Sequence, residues 1–123
     1  MNETKFNKCK AAFERNGGVM DSSPELDKYL DLRGADGITL NEKLIFFRYG
    51  APPAASTFYE ELIHTAQFRQ GKILTGISAK MEIEAKEKLV KYQKQYGIPD
   101  HENEQTKKQI EILKQESKNA NER

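Results

Sequence analysis

Apolar residues follow a helical spacing in the first part of the chain. Phe6, Cys9 and Phe13 recur at intervals of three and four residues, which predicts a first helix. Ser23 followed by Pro24 is typical of a helix start, because a serine hydroxyl caps free amide groups and proline suits the first turn. We therefore expect two short helices before the pattern changes.

The middle of the chain has the pattern of two β-strands. Ile38 and Leu40 alternate with polar residues, and the run 44–49 is almost wholly apolar, so the two segments predict a β-hairpin. The apolar run favours a strand that is covered on both faces. Pro52 and Pro53 then end the strand, because proline cannot continue a hydrogen-bonded ladder.

Three helices are expected after the hairpin. Apolar spacing predicts them over 56–71, 79–96 and roughly 101–117, with Ser78 as the N-cap of the second. An irregular link over 73–77 is expected between the first two. The fold class predicted is therefore α+β and mainly helical, with a β-hairpin followed by three helices.

Length and composition suit one small domain. The chain has 123 residues, of which 32 % are charged, so it can bury only a modest core. We expect a single compact domain over 1–117 and a disordered tail over 118–123. A net charge of +1 gives no overall attraction to nucleic acid. No run approaches the roughly 20 apolar residues of a membrane span, and no signal peptide is recognisable at the start.

Candidate chemistry is concentrated in the helix predicted over 56–71. Glu60 and His64 are four residues apart, so their side chains project from the same helix face, with Glu61 directly after the first. This is the spacing of the metal-binding motif H-E-x-x-H, with glutamate in place of the first histidine. Thr57 and Glu60 also match a capping box, in which Glu60 would turn back to the backbone. The ligand and the cap are alternative roles for Glu60.

An acidic residue of the next predicted helix is the candidate third ligand. In zinc peptidases of the gluzincin type, a glutamate about 20 residues downstream completes the site. Glu84 follows His64 at that distance and precedes the small Ala85, which would let the two helices approach closely. Glu82 competes for the role, because it lies at a similar angle from the apolar stripe. The spacing favours Glu84.

The segments E-E-L-I-H-T-A-Q-F and E-I-E-A, with the apolar strand before them, resemble the zincin-like metallopeptidase toxin domains of bacterial polymorphic toxins. The resemblance covers about residues 34–98. It implies a zincin-like core in which Glu60, His64 and Glu84 hold a metal ion and Glu61 is the catalytic base. Zinc is the expected ion, and the carboxylate-rich set makes Mn or Fe the alternatives.

The resemblance also implies a function and a setting. The chain would be a metal-dependent peptidase that acts as an interbacterial effector toxin on a peptide or protein, with a cognate immunity protein as partner. It would form the C-terminal part of a larger secreted or cell-surface bacterial toxin that is delivered into a target cell. Strand 44–49 would run along the cleft and hold an extended substrate by β-addition. Tyr59 and Arg69 are the candidates for stabilising the oxyanion.

Two other functions fit parts of the pattern. A metal-independent nuclease toxin would use His64 as general base beside charged groups that stabilise a phosphorane. Its further residues would be Glu61, Tyr59, Arg69 and Lys72. A degenerate, non-catalytic binding domain would follow if the missing first histidine has abolished metal binding, and strand 44–49 would then add to a partner's sheet.

Overall fold

Over the residues that it describes, 3–72 and 77–121, the computed structural model contains six helices and three strands. This confirms the α+β, mainly helical class. In chain order the elements are α1 (Glu3–Arg15), β1 (Val19–Asp21), α2 (Pro24–Arg33), β2 (Gly37–Asn41), β3 (Leu44–Phe47), α3 (Ala55–Arg69), α4 (Ala79–Lys91), α5 (Gln93–Tyr96) and α6 (Asp100–Asn121).

Side-chain caps start the second and fourth helices where the sequence predicted them. Ser23 Oγ accepts a hydrogen bond of 3.1 Å from the Leu26 amide at the start of α2. Ser78 Oγ accepts one of 3.3 Å from the Met81 amide at the start of α4. Each bond satisfies an amide that has no partner within its own helix.

The later helices differ in extent from the predictions. The helix predicted over 79–96 is interrupted at Tyr92, where φ of −110° and ψ of 30° leave the helical region, and it resumes as α5. Because no Gly or Pro follows Pro99, α6 continues to Asn121, into the segment predicted as a disordered tail. Within the described residues, no helix has the length and apolar character needed to span a membrane. Most of the predicted link, residues 73–76, lies outside the described residues, and so does the end of the predicted tail at 122–123.

β3 is the central strand of the sheet. It pairs in antiparallel fashion with β2, as the hairpin prediction requires, and Thr39 lies opposite Ile45. On its other side β3 pairs in parallel with β1, where Met20 is the partner of Ile45. Both hydrogen-bonding edges of β3 are therefore used, so the predictions that strand 44–49 holds a substrate or adds to a partner's sheet are wrong. β2 is an edge strand instead.

α3 packs across the sheet and brings its candidate residues against β2. Phe58 is fully buried, and its ring centroid lies 5.9 Å from that of Phe47 and 4.5 Å from that of Phe6. A Cβ atom at Gly37 would lie only 3.1 Å from Cγ of Glu61. The absence of a side chain at Gly37 thus lets the first residues of β2 approach α3 beside the candidate site.

Candidate metal centre

The side chain of Glu60 is not used as a helix cap. α3 begins earlier than predicted, with Ala54 as the N-cap residue and no hydrogen bond from a capping side chain. Thr57 therefore lies inside the helix, and the capping box predicted for Thr57 and Glu60 is wrong. The first turn is held from another helix, because Glu102 Oε1 accepts hydrogen bonds of 2.9 Å from both the amide and the hydroxyl of Ser56.

Glu60, Glu61 and His64 form a compact cluster on α3. One ligand atom from each side chain lies within 4.8 Å of the others. Glu60 Oε2 is 3.6 Å from His64 Nε2, which is the contact that the four-residue spacing predicted. His64 is 1 % exposed and Glu61 is 6 % exposed. These three side chains are close enough to hold a metal ion.

Glu82, and not Glu84, is the α4 carboxylate beside the cluster. Glu82 Oε1 lies 3.8 Å from His64 Nε2. The side chain of Glu84 is 42 % exposed and forms an ion pair of 3.0 Å with Lys72. Burial of Ala85 sets the rotation of α4 about its axis, and that rotation turns Glu82 to the cluster. The prediction that preferred Glu84 as the residue beside His64 is therefore wrong.

The two ring nitrogens of His64 have different environments. Nδ1 lies 2.7 Å from Oε1 of Gln67, which is one turn further along α3. Nε2 is buried and has no hydrogen-bond partner. A buried imidazole nitrogen without a partner is unusual, because polar atoms removed from water are normally paired. Nε2 is thus the atom of this cluster that is best suited to a further ligand.

Two residues that the sequence analysis did not select hold the carboxylates in place. Lys86 Nζ donates a hydrogen bond of 2.7 Å to Glu60 Oε1 and lies 3.8 Å from Glu82 Oε2. Thr39 Oγ1, on β2, lies 3.0 Å from Glu61 Oε1. Lys86 could have been found from its four-residue spacing to Glu82. Thr39 carries no such signal, because its contact depends on the packing of the sheet against α3.

The pKa values of the cluster reflect burial and an excess of carboxylates. Burial raises the pKa of Glu61 to about 7. Burial, with repulsion from Glu60, also raises the pKa of Glu82. Burial opposes the charge of His64, but the neighbouring carboxylates of Glu60 and Glu61 favour it and raise its pKa to about 8. For Glu60 the effect of burial is outweighed by the nearby His64 imidazole and by the ammonium group of Lys86, which together lower its pKa. Added positive charge would relieve the repulsion at Glu61 and Glu82.

The metal-free protein is expected to lose stability as the pH rises from about 4.5 to about 8. The pKa of Glu61 is about 7 when folded against 4.5 unfolded, so ionising it in the folded state costs up to about 3 kcal/mol. His64 acts in the same direction, because its pKa rises from 6.5 to about 8 on folding and its contribution is lost above that value. Urea unfolding midpoints, measured with a chelator across this range, test the expectation.

The effect of Glu61 in that experiment is isolated by the variant Glu61→Gln. The wild-type midpoint should fall more steeply with pH than the midpoint of Glu61→Gln. Identical slopes for the two proteins would contradict the assignment. Glu60 does not confuse the comparison, because a lowered carboxylate pKa affects stability only as the pH falls below the unfolded value of 4.5.

The structure does not bring Tyr59, Arg69 or Lys72 to the cluster. Tyr59 is 2 % exposed and belongs to the hydrophobic core, and Arg69 lines a separate pocket beside α1. Each is five residues from His64, which is about 140° around a helix. Lys72 is paired with Glu84. The oxyanion roles predicted for Tyr59 and Arg69 are therefore wrong, and the residues expected for a nuclease are not assembled.

The cluster opens into a cleft of about 650 Å³. Its walls include residues 37–40 of β2, the side chains of Glu60, Glu61 and Glu82, and polar residues of α6 such as Gln105. The edge strand β2 thus borders the cleft in the place that the sequence analysis gave to strand 44–49. A molecule entering the cleft can reach the carboxylates directly.

No protein-family model matches the sequence, and comparisons with curated proteins and with solved structures return no significant match. The resemblance to zincin-like toxin domains consequently rests on the motif residues themselves.

Proposed function

We propose that this chain is a metal-dependent hydrolase in which Glu60, His64 and Glu82 hold the ion and Glu61 is the general base. The observation that carries the proposal is the buried Nε2 of His64, which makes no hydrogen bond and lies 3.6 Å from a Glu60 oxygen and 3.8 Å from a Glu82 oxygen. Ligand atoms of a tetrahedral ion, each about 2.1 Å from the metal, lie roughly 3.4 Å apart. The two carboxylate oxygens therefore lie within a few tenths of an ångström of that separation from His64 Nε2.

The charges of the cluster also fit a divalent cation. Lys86 holds one oxygen of Glu60 and leaves the other free to face His64. A divalent cation and the ammonium group of Lys86 would together balance the three carboxylates of the cluster, those of Glu60, Glu61 and Glu82, when His64 is neutral. A bound divalent ion would supply Lewis acidity and bring the pKa of a water ligand close to about 7. We propose zinc first, with Mn or Fe as alternatives that suit a single imidazole among carboxylates.

Glu61 is placed to accept a proton from an attacking water. Its carboxylate is buried, lines the cleft and is held by Thr39 Oγ1 at 3.0 Å. Its pKa of about 7 lies near neutral pH, where a carboxylate both takes up and releases a proton readily. Its position directly after Glu60 is that of the general base in H-E-x-x-H, and its ligand atom lies within 4.8 Å of those of Glu60 and His64, within reach of a water on the proposed ion.

A peptide is the substrate that the walls of the cleft favour. β2 is an edge strand that borders the cleft, and a free strand edge can pair with an extended peptide through backbone hydrogen bonds. The resemblance to zincin-like toxin domains points to the same reaction. On that basis the chain would act as an effector toxin on a protein of the target cell, and a cognate immunity protein would be its partner.

Two matched variants test the ligand set. We expect the purified protein to bind about one equivalent of a transition metal. Glu82→Gln should weaken that binding by at least about 10-fold, because it removes a proposed ligand. Glu87→Gln makes the same chemical change at an exposed position of α4, outside the cluster, and should leave affinity nearly unchanged. Elemental analysis and competition with a chromogenic chelator measure both, and equal losses in the two variants would contradict the ligand set.

The reaction itself is tested on an unfolded protein substrate. Mass spectrometry should detect new peptide termini that disappear with chelator and return when zinc is restored. Expression in bacteria should arrest growth in a manner that depends on the same cluster. Degradation of RNA or DNA that chelation does not stop would instead support a nuclease, and absence of both metal and cleavage would support a binding domain.

A further inference from the structure

We infer that Gln67 is a positioning residue, which fixes His64 in the tautomer with its proton on Nδ1 and its Nε2 lone pair toward Glu60 and Glu82. The use of that lone pair by a metal ion rests on the function proposed above, whereas the tautomer itself does not. The inference follows from the hydrogen-bond partners of one buried amide group. Gln67 is 2 % exposed and lies between α3 and α4.

The amide of Gln67 has only one orientation that satisfies its neighbours. Its Nε2 lies 3.1 Å from the main-chain oxygen of Met81 and 3.3 Å from Oε1 of Glu84. A carbonyl and a carboxylate can only accept hydrogen bonds. Turning the amide over would place its oxygen against both acceptors, at a site without access to water. The NH₂ group of Gln67 therefore faces α4, and its carbonyl oxygen faces His64.

This orientation assigns the proton of the imidazole. Gln67 Oε1 is an acceptor that lies 2.7 Å from His64 Nδ1, so the hydrogen bond requires a proton on Nδ1. A neutral imidazole carries one proton, which leaves a lone pair on Nε2. The nearest carboxylate oxygens, at 3.6 and 3.8 Å, are too far from Nε2 for hydrogen bonds. The lone pair is thus presented to the space between Glu60 and Glu82.

Glu84 supports this arrangement from the protein surface. Its Oε1 accepts hydrogen bonds from Gln67 Nε2 and from Lys72 Nζ, the latter at 3.0 Å. Glu84, which was predicted from the sequence to bind the ion, therefore acts on it indirectly, through Gln67 and His64. Partners of this kind orient a ligand and raise its basicity without touching the metal.

Nitrogen-15 NMR of the full, metal-free chain tests the tautomer directly. The sequence contains two histidines, and His101 has a side chain that is 75 % exposed, so it serves as an internal reference. At about pH 10 histidine is neutral. We expect Nδ1 of His64 to resonate as a protonated nitrogen and Nε2 as an unprotonated one, while His101 shows an average of the two forms. A protonated Nε2 in His64 would overturn the inference, whatever the variants below do.

Two substitutions of similar size separate positioning from simple packing. Gln67→Met removes the acceptor, so His64 should move toward the averaged shifts of His101. Gln67→Glu keeps an oxygen opposite Nδ1, so the tautomer should persist, although its second oxygen faces the acceptors of Met81 and Glu84 and should lower the stability of the fold. Circular dichroism and the His101 signals verify that each variant is folded. A His64 spectrum that is unchanged in Gln67→Met would contradict the positioning role.

Metal titration of the same three proteins shows whether the tautomer is used. We expect Gln67→Met to weaken zinc binding by about 10–100-fold and Gln67→Glu to leave it close to wild type. Equal affinities in all three would overturn positioning for metal binding. A wild-type protein that shows the expected tautomer but binds no zinc would refute the proposed function and still support the assignment of Gln67.

Discussion

Replacing His64 with alanine is expected to abolish the proposed metal binding. His64 supplies the one imidazole of the cluster, and its Nε2 is the atom that faces both Glu60 and Glu82. Without the ring only carboxylate ligands remain, and Lys86 already contacts one oxygen each of Glu60 and Glu82 and would compete with an ion for them. The loss of affinity should exceed the roughly 10–100-fold that follows removal of a residue that merely supports a ligand.

The second histidine provides the matched control. His101 lies at the start of α6 with a side chain that is 75 % exposed, so His101→Ala removes an imidazole without altering the cluster. Calorimetric titration with zinc should show wild-type affinity for His101→Ala and no measurable site for His64→Ala. Circular dichroism confirms that both are folded. Retention of the ion by folded His64→Ala would place the metal elsewhere in the chain.

The parts of the fold that sequence predicted correctly depend on near neighbours. Ser23 and Ser78 cap amides only three residues away, so their role is visible in a short segment of sequence. The hairpin is also local, since two residues separate β2 from β3. The four-residue contact of Glu60 with His64 follows from helix geometry alone.

The wrong predictions concern features that depend on contacts between segments distant in the sequence. α3 begins without a capping side chain of its own, because Glu102 binds the amide of Ser56 from 46 residues away. β3 becomes a central strand because β1, which contains only three residues, pairs with it across α2. Glu82 replaces Glu84 beside His64 because packing sets the rotation of α4. None of these contacts has a signature within one stretch of sequence.

Some errors at the site could have been avoided from the sequence itself. Tyr59 and Arg69 are each five residues from His64, and 100° per residue places both well away from the face of the cluster. Gln67, three residues after His64, lies about 60° from it and is the neighbour that contacts the ring. Spacing along the helix was therefore a better guide to the site than residue chemistry.

Replacing Glu61 with glutamine is expected to remove the proposed hydrolysis while the proposed metal binding is retained. The amide cannot accept a proton from water, and loss of a general base typically lowers a rate by about 10²–10⁴-fold. The substitution changes one buried carboxylate to a neutral group of the same shape, and its oxygen can still accept from Thr39 Oγ1. Cleavage of the unfolded substrate and zinc titration are the two measurements.

The same variant should be more stable than wild type above neutral pH in the metal-free state. Ionised Glu61 is buried with a pKa raised to about 7, so glutamine avoids a cost of up to about 3 kcal/mol. Glu87→Gln, at an exposed position of α4, is the control for loss of a carboxylate and should change neither property. Replacing a metal ligand would weaken binding of the ion, and replacing a residue with a purely structural role would lower the stability of the fold. A general base therefore predicts a variant that is inactive, fully loaded with metal and more stable when the metal is removed.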